Sequence, residues 1–263
     1  MQHALLGCLL ASVGCGIIGT YVVVKRIGFM AGGIAHSVLA GMGVAYFMGA
    51  SPLTGAIISA LIAGVLIGWI NLRWRQHEDI LIAAFWSVGM AIGILFISRT
   101  EGYNIDLMSY LFGNILLVTT RDLYLMLILD SVILVLVLLF YRQFLATAFD
   151  EEFSRLRGIN VEFYYILLLC MVALTVVLLI QVVGLILVLA LLILPAASAA
   201  QFVSSIKRMM LLSVIFSVLI TTAGLVISYE PDLPSGSTII ILAGIFYLLS
   251  IIAQGLIKKS RNT

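Results

Sequence analysis

The sequence predicts an all-α, polytopic integral membrane protein, and three observations carry that prediction. Hydrophobic residues make up 63% of the 263 and charged residues only 10%. Charge-free runs long enough to cross a bilayer recur along the whole chain. Basic residues gather in alternate gaps between those runs. No water-soluble fold of this size could bury so much apolar surface. The net charge of +2 leaves no basic patch for nucleic acid.

The elements follow from where charges, Gly and Pro cut the runs. Ala4–Val24 is the first span, and the N-terminus lacks the positive region of a cleavable signal, so the span is expected to be retained. Ile27–Leu72 contains no Asp, Glu, Lys or Arg and holds two helices, broken near Ser51-Pro52. Ile80–Ile97 is the fourth span. Leu107–Thr120 is too short to cross and is expected to be re-entrant or interfacial. Leu123–Tyr141 is the fifth. Phe163–Ile206 must again be two helices, turning near Gly184, with Pro195 expected to kink the second into a thin, closely packed segment. Met209–Tyr229 and Leu233–Ile257 complete a count of about nine, with eight as the alternative. Residues 1–263 then form a single transmembrane domain. Gly64 and Gly68, and again Gly89 and Gly93, stand at the spacing that lets helix backbones approach. Cys8, Cys15 and Cys170 lie in apolar runs and read as small core residues.

Alternating nine spans collects Lys25, Arg26, Arg73, Arg75, Arg142, Arg155, Arg157, Lys207, Arg208, Lys258, Lys259 and Arg261 on one side. Only Arg99 and Arg121 fall opposite. The basic side is expected to be the cytoplasm, with the N-terminus outside and the C-terminus inside.

On the cytoplasmic side the region 142–162 is a polar island. Within it Phe149-Asp-Glu-Glu-Phe-Ser-Arg-Leu-Arg-Gly158 reads as one short amphipathic helix. Phe149, Phe153 and Leu156 fall at i, i+4 and i+7 and share a face. Asp150, Glu151 and Glu152 suit its start, Arg155 and Arg157 its end, and Gly158 the C′ stop. Such a helix either touches a soluble partner or rests on the lipid surface.

Ionisable groups inside the membrane are the functional candidates. His36 follows Ala31-Gly-Gly33, and its imidazole suits first-row metals or a hydrogen bond to a neighbouring helix. Asp130 lies mid-span as a pathway carboxylate or a structural group. Asp106 begins the short segment, within a mildly acidic outer face that includes Glu101, Asp122, Glu230 and Asp232. No His-Glu-x-x-His, phosphate loop or Cys-x-x-Cys pair is present, so no enzyme site and no tightly bound cofactor are expected.

Several segments resemble the zinc/manganese uptake class of ABC transporter permeases. They are Lys25-Arg-Ile-Gly-Phe-Met-Ala-Gly-Gly-Ile-Ala-His-Ser-Val-Leu-Ala-Gly41, Leu111-Phe-Gly-Asn114 with Thr119-Thr-Arg-Asp122, Val183-Gly-Leu-Ile, Leu194-Pro-Ala-Ala-Ser-Ala199 and Ser228-Tyr-Glu-Pro-Asp-Leu-Pro-Ser-Gly236. The resemblance implies a homodimeric core in a bacterial plasma membrane, two cytoplasmic ATPase subunits that bind the ATP, and an external metal-binding protein. It implies that Phe149 to Gly158 couples to the ATPase and that His36 lines the path of Zn²⁺ or Mn²⁺. Many members carry an aspartate four residues before that histidine; here Gly32 stands there, which favours paired His36 side chains, one per copy, and leans the expected cargo toward zinc. The alternatives are a proton-coupled transporter using His36 and Asp130, and a non-transporting assembly subunit.

Overall fold

The structure is a computed structural model that describes residues 2–74, 78–100, 113, 115, 118–185, 188–229, 231 and 233–261. Its helices in chain order are α1 (Gln2–Val24), α2 (Gly28–Phe47), α3 (Pro52–Arg73), α4 (Glu78–Ser98), α5 (Thr120–Leu139), α6 (Tyr141–Phe149), α7 (Glu151–Leu156), α8 (Val161–Val183), α9 (Val188–Ala200), α10 (Ile206–Tyr229) and α11 (Ser235–Arg261). Among the described residues there is no strand. Among the described residues eight helices are long and apolar enough to cross a membrane. The all-helical, polytopic expectation therefore holds.

The remaining expected span, the second helix of Phe163–Ile206, is α9, and it is short. Its 13 residues rise only about 20 Å, against about 30 Å of bilayer hydrocarbon. The connection before it explains how this is tolerated. Gly184 ends α8 with a positive φ of 77°, and both Gly184 and Leu185 are buried. Non-helical backbone at membrane depth persists only when protein covers it. Pro195 lies inside α9, and the Leu192 carbonyl and Ala196 pack directly on Gly19 of α1.

Small residues set the helix contacts. A Cβ on Gly64 would stand 3.1 Å from the Leu169 carbonyl oxygen, and one on Gly68 2.9 Å from Leu169 Cδ1, so α3 lies on α8. A Cβ on Gly89 would meet Ser37 Cα at 2.8 Å and one on Gly93 the Leu39 carbonyl at 2.5 Å, so α4 lies on α2. Gly41 and Gly55 bring α2 and α3 together in the same way. The spacing of Gly64/Gly68 and Gly89/Gly93 in the sequence thus marks real interfaces. Polar pairs add to α1–α10, where Ser12 Oγ and Thr221 Oγ1 are 3.1 Å apart. Cys8 and Cys15 are buried, Cys170 is half-buried, and all three are free thiols.

One end of the bundle gathers the connections that the sequence marks as basic. Lys25 reaches Thr147 and Glu151, Lys207 Nζ stands 5.1 Å over the Tyr141 ring, and Gln254 Nε2 donates to the Gln201 carbonyl at 2.8 Å. At the other end Thr119 and Asp122 form a capping box for α5: Asp122 Oδ2 accepts from Thr119 N at 2.9 Å, and Thr119 Oγ1 accepts from Asp122 N at 3.3 Å. Asp122 is thus occupied as a cap. Glu101, Asp106, Glu230, Asp232 and most of the short segment 107–120 lie outside the described residues.

Candidate functional site: a membrane histidine and an exposed helical elbow

His36 is half-buried on α2. Its ring stacks on Trp86 of α4, with centroids 3.9 Å apart and planes 12° from parallel. Trp86 in turn touches Phe29, at 6.2 Å between centroids. The stack covers one face of the imidazole and leaves its edge, where a metal would bind, to be set by the nitrogens. Nδ1 is buried and has no hydrogen-bond partner among the described residues. Tightly ligating histidines usually donate their second N–H to a carboxylate or carbonyl, which fixes ring orientation and raises basicity. No group of three or more His, Cys, Asp and Glu side chains able to hold a metal occurs among the described residues. The position one turn earlier is occupied: a Cβ on Gly32 would stand 3.1 Å from Leu189 Cδ1 and 3.3 Å from Trp86 Cζ3. An aspartate at 32 would have to displace both side chains.

Asp130 is 6% exposed on α5. Gly14 of α1 faces it, and a Cβ there would sit 2.9 Å from Asp130 Oδ1 and 3.6 Å from Thr175 and Leu178 of α8. Neither carboxyl oxygen has a hydrogen-bond partner among the described residues. The structural hydrogen bond that the sequence allowed for is therefore not seen. Asp130 lies between α1 and α8, whereas His36 lies against α4; no described contact joins the two. Asp106 is outside the described residues.

The polar island folds as an elbow. Phe149 is the last residue of α6, Asp150 is extended with φ −149° and ψ 102°, and α7 runs from Glu151 to Leu156. This corrects the expectation of one continuous amphipathic helix. The physical reason is the cap: Asp150 turns out of helix geometry so that its Oδ1 can accept from Phe153 N at 2.8 Å, satisfying an otherwise orphaned amide. The far end closes as a Schellman motif, with Ile159 N donating to the Ser154 carbonyl and Gly158 N to the Arg155 carbonyl, both at 3.0 Å. Gly158 has φ 76°, the left-handed conformation expected of a C′ glycine.

The elbow has two faces. Outward stand Phe149 at 69% exposure, Phe153 at 49% and Leu156 at 87%. The Arg157 guanidinium lies 4.8 Å from the Phe153 ring, and Arg155 lies 3.9 Å from Glu162. Glu152 is exposed. Inward, Ser154 is fully buried and Glu151 pairs with Lys25 Nζ at 3.0 Å. Three apolar side chains thus stand in the open on a segment with both ends capped.

Residues 1–254 match the ABC 3 transport family. The chain belongs to that family. It is 44% identical over 98% of its length to a protein of Chlamydia pneumoniae named a probable metal transport system membrane protein, of which it covers 88%. It is 34% identical over 95% of its length to the manganese transport system membrane protein MntC of Halalkalibacterium halodurans, covering 86% of that protein. Among solved structures, PsaBC from Streptococcus pneumoniae in complex with Fab superposes with a TM-score of 0.86 at 33% identity, covering 95% of this chain and 90% of that one. The family expected from the motifs is the one found. As an ABC 3 permease the chain is a multi-pass membrane subunit of a transport system and is not itself an enzyme.

The sequence reading missed two features of this ABC 3 permease. Trp86 left no signal, since an aromatic in an apolar span looks like lipid-facing bulk. Lys25 looked like one more basic residue in a loop.

Proposed function

We propose that this permease carries a divalent first-row metal ion, Mn²⁺ or Zn²⁺, into the cell as the membrane core of an ATP-driven importer. Two copies of the chain form the pathway, and His36 from each contributes an imidazole at its constriction. Separate cytoplasmic ATPase subunits, which bind the ATP, dock on the α6–α7 elbow, and an external binding protein delivers the metal. The N-terminus lies outside and the C-terminus inside, in a bacterial plasma membrane.

The observation that carries this reading is the elbow. A bundle whose other described helices are almost all membrane spans holds three exposed apolar side chains on an elbow whose short second helix is capped at both ends. Ordering a segment costs conformational entropy, and an elbow capped and tied to the bundle has already met that cost before a partner arrives. The names of the relatives support a metal cargo, manganese among them. The imidazole of His36 suits zinc better than manganese, which favours oxygen ligands, whereas the relatives' names weigh toward manganese.

The test is metal-resolved uptake into vesicles that carry the whole complex, with and without ATP. ATP-dependent accumulation of Mn²⁺ or Zn²⁺ is expected. Uptake that survives ATP depletion but collapses with the proton gradient would replace the reading by proton coupling through His36 and Asp130. Movement of no metal at all would leave an assembly subunit.

A further inference from the structure

The inward face of the elbow meets a cluster that the proposed docking face leaves unused. Lys25 sits in the turn between α1 and α2 with its side chain only 10% exposed. Its ammonium donates to the Thr147 carbonyl of α6 at 2.9 Å and to Glu151 Oε1 of α7 at 3.0 Å. It also stands 5.5 Å from the centre of the Tyr165 ring on α8. The Tyr165 hydroxyl accepts from Asn71 Nδ2 of α3 at 2.7 Å and lies 2.9 Å from Met30 Sδ of α2. Lys25, Met30, Asn71, Glu151 and Tyr165 line a polar pocket of about 340 Å³ beside α7.

The turn that holds Lys25 has no slack. Arg26 N donates to the Val23 carbonyl and Ile27 N to the Val22 carbonyl. Arg26 is held at φ 57°, the one positive value among described non-glycine residues. α2 starts at Gly28, and His36 lies about 12 Å further along it. Beyond Lys25, then, the backbone is a hydrogen-bonded turn followed by a continuous helix. The Glu151 side chain is 34% exposed, so the pair adds little net stability. What it does is tie the Glu151 carboxylate and the Thr147 carbonyl to one ammonium in the α1–α2 turn.

We propose that Lys25 is a positioning residue that transmits displacement of α7 into α2, and so to His36. The inference rests on the docking reading above: the outward face of α7 receives the ATPase, and its inward face, through Glu151, grips Lys25. A push on α7 then reaches the pathway helix through the Lys25–Glu151 pair and the turn that follows Lys25.

The experiment uses the complete importer in proteoliposomes and reads metal moved per ATP hydrolysed, together with the amount of ATPase bound. Lys25→Met keeps the apolar stem and removes the charge. It should lower metal moved per ATP by about tenfold, within the range that a coupling between two sites spans, while the ATPase stays bound. Lys25→Arg, which keeps the charge and donors, should restore the ratio. Glu151→Gln, which keeps an acceptor and the side-chain shape, should lower it in the same direction and guards against a misfolded Lys25→Met. A wild-type ratio in both Lys25→Met and Glu151→Gln would overturn the proposal. So would loss of bound ATPase in step with uptake, since Lys25 would then serve docking rather than transmission. The docking reading fails on a separate result, retention of ATPase by a Phe153→Asp/Leu156→Asp variant.

Discussion

The exposed face of the elbow invites a direct perturbation, Phe153→Asp with Leu156→Asp. Fully burying a Leu or Phe side chain contributes about 1.5–3 kcal/mol. Leu156 is 87% exposed and Phe153 49%, so a partner that covers them gains about 2 and about 1 kcal/mol in turn. Losing both raises the dissociation constant by about 100-fold, and two carboxylates forced into an apolar groove raise it further. The permease itself should tolerate the change. Residue 153 lies in the first turn of α7, where an acidic group suits the helix dipole, and at 156, near the far end, it costs about 0.3–1 kcal/mol. The Asp150 cap and the Lys25–Glu151 pair are untouched. The assay is titration of purified ATPase onto immobilised, detergent-solubilised permease, with thermal unfolding as the control for folding. A dissociation constant within about threefold of wild type, on a normally folded variant, would refute the reasoning.

Four further outcomes follow from the same geometry. His36→Ala should cut metal uptake while leaving assembly with the ATPase intact; normal uptake would return His36 to a packing role against Trp86. Asp130→Asn removes no hydrogen bond seen among the described residues, so the melting temperature should not fall, whereas uptake should; unchanged uptake removes Asp130 from the pathway. Gly93→Ala places a methyl 2.5 Å from the Leu39 carbonyl and should cost about 1–3 kcal/mol of stability by thermal unfolding, while Gly244→Ala on α11, with nothing within 4 Å, should be neutral or stabilising. Leu156→Cys should react with an impermeant thiol reagent only from the cytoplasmic side and Met48→Cys, 75% exposed at the far end of α2, only from outside; the reverse pattern would invert the topology.

Much of the fold was legible because the bilayer constrains the chain so strongly. A run such as Ile27–Leu72 can only be two crossing helices, and Gly64/Gly68 or Gly89/Gly93 can only be close contacts once those helices exist. The stop at Gly158 was legible from capping chemistry and the acidic start of the segment from the helix dipole. Helix faces were not. On α2 and α4 almost every position is apolar, so periodicity cannot tell the side that meets Trp86 from the side that meets lipid. The break at Asp150 was hidden for a different reason: Phe149, Phe153 and Leu156 keep helical spacing across it, and only the side-chain cap reveals the turn. Lys25 was hidden because the sequence places it in a loop, where a lysine marks membrane side and nothing more, until the fold brings Thr147 and Glu151 within 3.0 Å.

The packing of α2 determines what such a contact can accomplish. α2 is held on one side by α3 through Gly41 and Gly55, and on another by α4 through Ser37–Gly89 and Leu39–Gly93, all at backbone contact. Interfaces this tight leave no room for α2 to slide alone, since packed cores shift between discrete arrangements rather than deform. Displacement arriving at Lys25 must therefore move α2, α3 and α4 as a block. His36 and its stacking partner Trp86 belong to that block and travel together, so their 3.9 Å stack should survive the transport cycle. α8, held to α3 through Gly64 and Gly68, travels with the block, and what changes is the distance of the block from α9 around Gly32 and Leu189 and from the second copy of the chain in the proposed dimer. If Trp86 fluorescence showed the ring leaving the imidazole during turnover in a variant whose other two tryptophans are replaced by Phe, block motion would be wrong, and α2 would have to move against α4.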